Sequence, residues 1–158
     1  MGGSIEGLDS LLKKLSKLGG NVEETLYKSI DRQSKLVQGD AKDLCDVDTG
    51  DLRNSIKTET KIKGDKIVGS IFTNSDHGPY VEFGTGKKGE ASGGDKYPGP
   101  ISYKQDKWLV NIPDVGPRWI EGQPAQPFMY PALKNNEERI LENIKKDIKK
   151  EIRELARR

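Results

Sequence analysis

A chain of 158 residues, 32% apolar and 33% charged, has room for one domain and no second independent core, since single domains cluster at roughly 100–150 residues. Its formal charge of +2 is too small an imbalance for the phosphate-neutralising surface of a dedicated nucleic-acid binder, and its apolar runs fall far short of the roughly 20 residues that cross a bilayer. The single cysteine, Cys45, excludes an intramolecular disulfide and a cysteine-built zinc cluster, so a reducing compartment is expected, with neither export signal nor membrane insertion.

Leu8, Leu11, Leu12, Leu15 and Leu18 share one helical face, and Gly19-Gly20 ends that short first helix, within residues 1–20. Asn21 with Glu24 three residues later has the form of a capping box and predicts a second helix from Val22 to about Cys45. Its apolar stripe is Val22, Leu26, Ile30, Val37, Ala41 and Leu44, with Leu36 beside it and Cys45 next to it as a buried spacer. After the break at Asp48-Thr49-Gly50-Asp51-Leu52 the period changes to two. Ile56, Thr58, Thr60 and Ile62, then Ile67-Val68 through Ile71-Phe72, flank a Lys63-Gly64-Asp65-Lys66 turn and read as a β-hairpin.

Residues 84–107 are expected to form a mobile Gly- and Lys-rich loop or insert. Trp108, Leu109, Val110 and Ile112 suggest another strand, and Trp119-Ile120 a short one. The prolines of Gln123–Pro127 hold the chain extended. A last helix follows over 131–158, with Leu133, Ile140, Leu141, Ile144, Ile148, Ile152 and Leu155 on one face, at steps that suit a straight helix rather than a coiled coil. Its Lys145, Lys146, Lys149, Lys150, Arg153, Arg157 and Arg158 alternate with Glu142, Asp147, Glu151 and Glu154 and read as a mixed, solvated face. The predicted class is α+β: N-terminal helices and a long C-terminal helix packed on a small antiparallel sheet.

Chemical motifs are weak. Gly84-Thr85-Gly86-Lys87-Lys88-Gly89 has dinucleotide-loop spacing, but Glu90–Asp95 carries no apolar period for the helix such a loop requires. His77, the sole histidine, lies beside Asp76, and a hydrolase would have to use it with Asp76 or Glu82; a turn histidine explains the same residues. No metal-ligand or cofactor pattern is present, and no calcium-loop spacing.

Three segments together carry more. Thr49-Gly50-Asp51-Leu52-Arg53-Asn54-Ser55-Ile56, His77-Gly78-Pro79-Tyr80-Val81-Glu82-Phe83-Gly84-Thr85-Gly86 and Pro127-Phe128-Met129-Tyr130-Pro131-Ala132-Leu133 resemble, in order and spacing, the motifs of a siphophage tail-component family of head-tail joining or tail-completion proteins. The resemblance spans roughly residues 5–155 and departs in the insert between Gly86 and Trp108. It implies a structural virion protein of the neck or upper tail with no catalytic role and no cofactor. Such a protein assembles in the host cytoplasm as a ring, expected to be hexameric, although the isolated chain can be a monomer. Its partners would be neck, connector and tail-tube proteins, and DNA would pass through the lumen without specific binding. A tail terminator capping the tube is the alternative, followed by a small nucleic-acid-binding module or a hydrolase using His77.

Read without the resemblance, Thr49-Gly50 turns the chain into the hairpin. Tyr80, Val81 and Phe83 pack beside glycines that permit close backbone approach. Phe128, with Pro127 and Pro131, anchors the last helix. The contact surface is expected in the loop of residues 84–107 and at the free ends.

Overall fold

The computed structural model describes residues 21–48, 50–93 and 97–157. The helix expected within residues 1–20, like Thr49, lies outside them. In chain order the elements are α1 (Val22–Leu44), α2 (Asp51–Ser55), β1 (Ile56–Lys63), β2 (Lys66–Thr73), α3 (Gly78–Phe83), α4 (Gly86–Gly93), β3 (Trp108–Ile112), β4 (Gly116–Ile120) and α5 (Met129–Leu155). The class is α+β, as expected, but the strands are divided between two separate hairpins, β1-β2 and β3-β4, rather than joined in one sheet. Each pair closes on its own short turn. Gly64 supplies the left-handed backbone of the first (φ 62°), and Asp114 (φ 63°) and Gly116 (φ 88°) that of the second.

The described residues form two compact units, one of residues 21–36, 58–70 and 136–157, the other of 37–48, 50–57, 71–93 and 97–135. In the first, Val22, Leu26 and Ile148 are buried, and Ile30, Ile67, Ile144, Ile152 and Leu155 pack against them. Sequence periodicity named all but one of these as apolar-face residues of α1 and α5, and Ile67 as a hairpin residue. It missed a polar ladder beside them. Thr25 donates to Glu151 at 3.3 Å, Ser29 to Asp147 at 2.6 Å, and Asn143 to Gln33 at 2.9 Å. A step of four residues up α1 is matched by a step of four down α5, which is the register of antiparallel helices with neighbouring faces. Ser29, Gln33 and Ser34 are buried, so this stripe holds the places after Leu26 that aliphatic side chains leave empty. Gly69 of β2 fits the same surface: a Cβ there would collide with the Ser34 hydroxyl and lie 2.9 Å from Ile30.

In the second unit Val37, Ala41, Cys45, Ile56, Phe128 and Ala132 are buried. Two expected core positions are corrected: Leu44, the last residue of α1, is 47% exposed, and Leu133, next to buried Ala132, is 50% exposed. Gln38 donates to the Ile56 carbonyl at 2.7 Å and Ser55 shares a hydrogen bond with Thr73 at 2.5 Å, fixing the entry and exit of the first hairpin here.

Within the stretch 84–107 expected as a loop or insert, Gly86–Gly93 is helical, as α4. Glycine is a poor helix former, so tertiary bonds must hold this element. Ser92 Oγ donates to the Lys88 carbonyl at 2.8 Å while accepting from the Ala125 amide at 2.6 Å. Tyr103 donates to the Phe83 carbonyl at 2.9 Å just before α4 begins.

Candidate functional site

The second and third sequence motifs meet in the second unit, and the residue that joins them is Glu82. Its side chain is buried, with 7% exposure for the residue. One carboxylate oxygen accepts the amides of Phe128 at 2.7 Å and Met129 at 2.8 Å, and the other accepts that of Tyr130 at 2.9 Å. A helix begins with four amides that lack intrahelical partners. For α5 these belong to Phe128, Met129, Tyr130 and Pro131, and proline has no N–H. Glu82 therefore satisfies every orphan donor the helix start possesses, with negative charge placed at the positive end of the helix dipole.

The glycines of the second motif serve the same junction. Thr85 and Gln123 exchange backbone hydrogen bonds at 2.9 and 3.1 Å, and Gln126 donates to the Val81 carbonyl at 2.8 Å, so residues 123–126 lie along 81–85. A Cβ on Gly84 (φ 72°) would stand 2.6 Å from the Ala125 amide nitrogen and 2.8 Å from the Gln123 carbonyl oxygen. The dinucleotide-like spacing is explained by one stretch of backbone pressed on another, and it follows helix α3 rather than a strand. Phe83 and Tyr130 are bridged by Tyr97 through two edge-on ring contacts, with centroids 4.9 and 5.7 Å apart.

The first motif opens on Gly50, whose φ of 84° lets the chain turn into α2, a single helical turn that leads directly into β1. Leu52 is half-buried. It lines an open cavity of about 1080 Å³ together with Asp46, Val47, Tyr80, Val81 and Trp108. His77, Thr85, Gln123 and Gln126 line it as well. The volume is at the upper end of small-ligand pockets, roughly 300–1,000 Å³. Tyr80, 55% exposed, is held in place by the Gln123 side chain, which donates to the Tyr80 carbonyl at 2.9 Å.

The structure thus separates the expected site residues by role. Glu82, Gly84, Gly86, Phe128 and Ala132 are buried, and Phe83, Pro127 and Pro131 are half-buried. His77 and Tyr80 are exposed at the cavity and Leu133 is exposed on α5. Of the two partners considered for His77, Asp76 and Glu82, Glu82 is committed elsewhere: both its oxygens accept backbone amides, and His77 contributes its backbone carbonyl to the start of α3. Among the described residues no cluster of His, Cys, Asp and Glu could hold a metal ion, and no helix is long and apolar enough to cross a membrane. Burial pushes the Cys45 thiol above its ordinary range; Arg53 opposes the shift, and Asp46 and Glu82 add to it. Such a thiol is a poor nucleophile at neutral pH.

Sequence reasoning missed Gln123, Ser92 and Tyr103, which tie the motif to distant backbone. All three lay within segments already singled out, Ser92 and Tyr103 in 84–107 and Gln123 in the proline-rich stretch, but nothing local marks their partners. Neither a curated protein nor a solved structure matches the chain. Residues 9–84 match the model of the HK97-gp10-like family, described as "Bacteriophage HK97-gp10, putative tail-component". The matched stretch, a little under half of the chain, contains the first two of the three sequence motifs up to Gly84, with Glu82 near its end, and over these residues the chain is similar to that family of phage tail components.

Proposed function

We propose that this protein is a phage tail component that joins the head or neck to the tail, or completes the tail, by assembling as a ring with neck, connector and tail-tube proteins, and that it does so without catalysing a reaction. The Glu82 cap carries the reading. It ties the third motif, which lies outside the family match, to the second, which lies inside it, so the two motifs meet in one physical contact at the start of the last helix. Polar and charged side chains around an open cavity, with exposed Tyr80 at its rim, suit contact between proteins better than enclosure of a small substrate.

Deleting the gene from its phage or prophage and imaging the particles tests this. Joining or completion requires filled heads beside detached or unfinished tails. Overlong tails would point instead to a terminator that caps the growing tube, and normal infectious particles would end the proposal.

A further inference from the structure

The mixed charges of α5 are sorted in three dimensions. Asp147 accepts from Ser29 at 2.6 Å and lies 3.4 Å from Arg32, and Glu151 accepts from Thr25, so both acids turn toward α1. Lys145, Lys146, Lys149, Lys150, Arg153 and Arg157 are exposed. At 3.6 residues per turn Lys146, Lys149, Lys150 and Arg153 occupy the side of α5 away from Ile144, Ile148 and Ile152, with Lys145 at its flank and Arg157 just past the helix end, and from Lys145 to Arg153 the stripe is about 12 Å long. Glu142 interrupts its start, and Glu154 pairs with Lys150 at 4.0 Å. The mixed face expected from sequence is exposed, and on it the bases outnumber the acids to form a basic ridge.

A chain with a net charge of only +2 must carry matching acids elsewhere. One concentration of them lies at the cavity of the second unit, where Asp46, Asp48 and Asp51 are exposed around Val47, Leu52 and Trp108. Arg53, the one permanent cation in the lining, is paired with Asp43 at 3.6 Å. An acidic rim around an apolar floor is complementary to a basic helix ridge whose lysine and arginine stems are themselves apolar.

We infer that the basic ridge of α5 on one copy docks into the acid-rimmed cavity of a second copy. The two surfaces differ, so the contact is head-to-tail, the kind that can repeat from subunit to subunit. The inference rests on the assembly reading above and specifies its subunit contact. The other occupant such a ridge could take, a nucleic-acid backbone, has no counterpart in the rim.

Sedimentation velocity on the full chain, from micromolar to about millimolar concentration, tests it. Self-association is expected, weakening about tenfold or more between low and high salt as the charges are screened. Lys145→Glu, Lys149→Glu and Arg153→Glu together should abolish it, and so should Asp46→Lys with Asp48→Lys. Mixing the two variants should restore it, because each then meets a surface of opposite sign. Circular dichroism melts keep unfolded variants out of the comparison. A wild-type chain that stays monomeric throughout, or variants that associate as before, overturns the inference. So does a ridge variant that loses only affinity for duplex DNA. The deletion phenotype is independent of these outcomes, so the assembly reading can survive the loss of this contact.

Discussion

Replacing Glu82 by alanine should be among the most destabilising single changes available in this protein. It leaves the amides of Phe128, Met129 and Tyr130 without an acceptor at a buried helix start. Each unsatisfied buried donor costs about 1–3 kcal/mol, and loss of a favourable charge at the dipole adds up to about 2 kcal/mol in a partly buried setting. Water can reach some of these amides once the side chain is gone, since Met129 and Tyr130 are only half-buried. About 3–5 kcal/mol is therefore expected, which at about 2–4 °C per kcal/mol for a chain of this size lowers Tm by about 10 °C. A glutamine side chain keeps one acceptor oxygen and loses the charge, so Glu82→Gln should fall between the alanine variant and the parent. Urea unfolding followed by circular dichroism gives both values. A Glu82→Ala protein within about 1 kcal/mol of the parent would refute the cap as the organising contact.

Other substitutions test the remaining links. Gly84→Ala forces a Cβ to within 2.6 Å of the Ala125 amide nitrogen and a strained φ of 72°, so a loss of about 2–4 kcal/mol is expected in the same unfolding experiment. Ser29→Ala leaves Asp147 with Arg32 alone and should cost about 1 kcal/mol, whereas Ser29→Ala combined with Asp147→Leu should recover much of it, since removing both partners of a polar pair is far cheaper than removing one. Cys45 should react slowly with a thiol reagent in the native state and fast in urea. Because its folded pKa is raised, the stability that depends on a protonated thiol is present below the ordinary thiol range and declines as pH rises beyond it, which an alkaline series of melts would reveal. Tyr80→Ala, at a side chain 55% exposed, should leave Tm within a degree or two but reduce the yield of infectious particles.

How much of this was legible depended on the length over which a signal repeats. The long helices α1 and α5 and the first hairpin announced themselves because their patterns run for many residues and their ends carry turn residues such as Gly64. Helices α2, α3 and α4 span five, six and eight residues, too few to show a helical period. They are held by distant partners, among them the Ala125 amide on Ser92. The polar ladder escaped a search for apolar faces, since Ser29 and Gln33 continue the α1 stripe with hydrogen bonds in place of aliphatic contact. Glu82 was named as a motif residue but its work was invisible: one carboxylate among 25 acids acquires meaning only from amides 46 to 48 residues away.

The motifs therefore divide along a physical line rather than along their sequence. Within one six-residue helix, Glu82 faces inward to build the start of α5 while Tyr80 faces the cavity. Within the next motif, Phe128 and Ala132 are buried and Leu133, adjacent in sequence, is half exposed. The Glu82 carboxylate is turned inward and spent on three backbone amides, while the cavity is lined by His77, Tyr80, Trp108, Arg53, small hydrophobes and aspartates. That allocation is the one expected of a part whose fold must be rigid and whose surface must adhere: inward variants should unfold the protein, and outward ones should leave it folded but unable to join its neighbours.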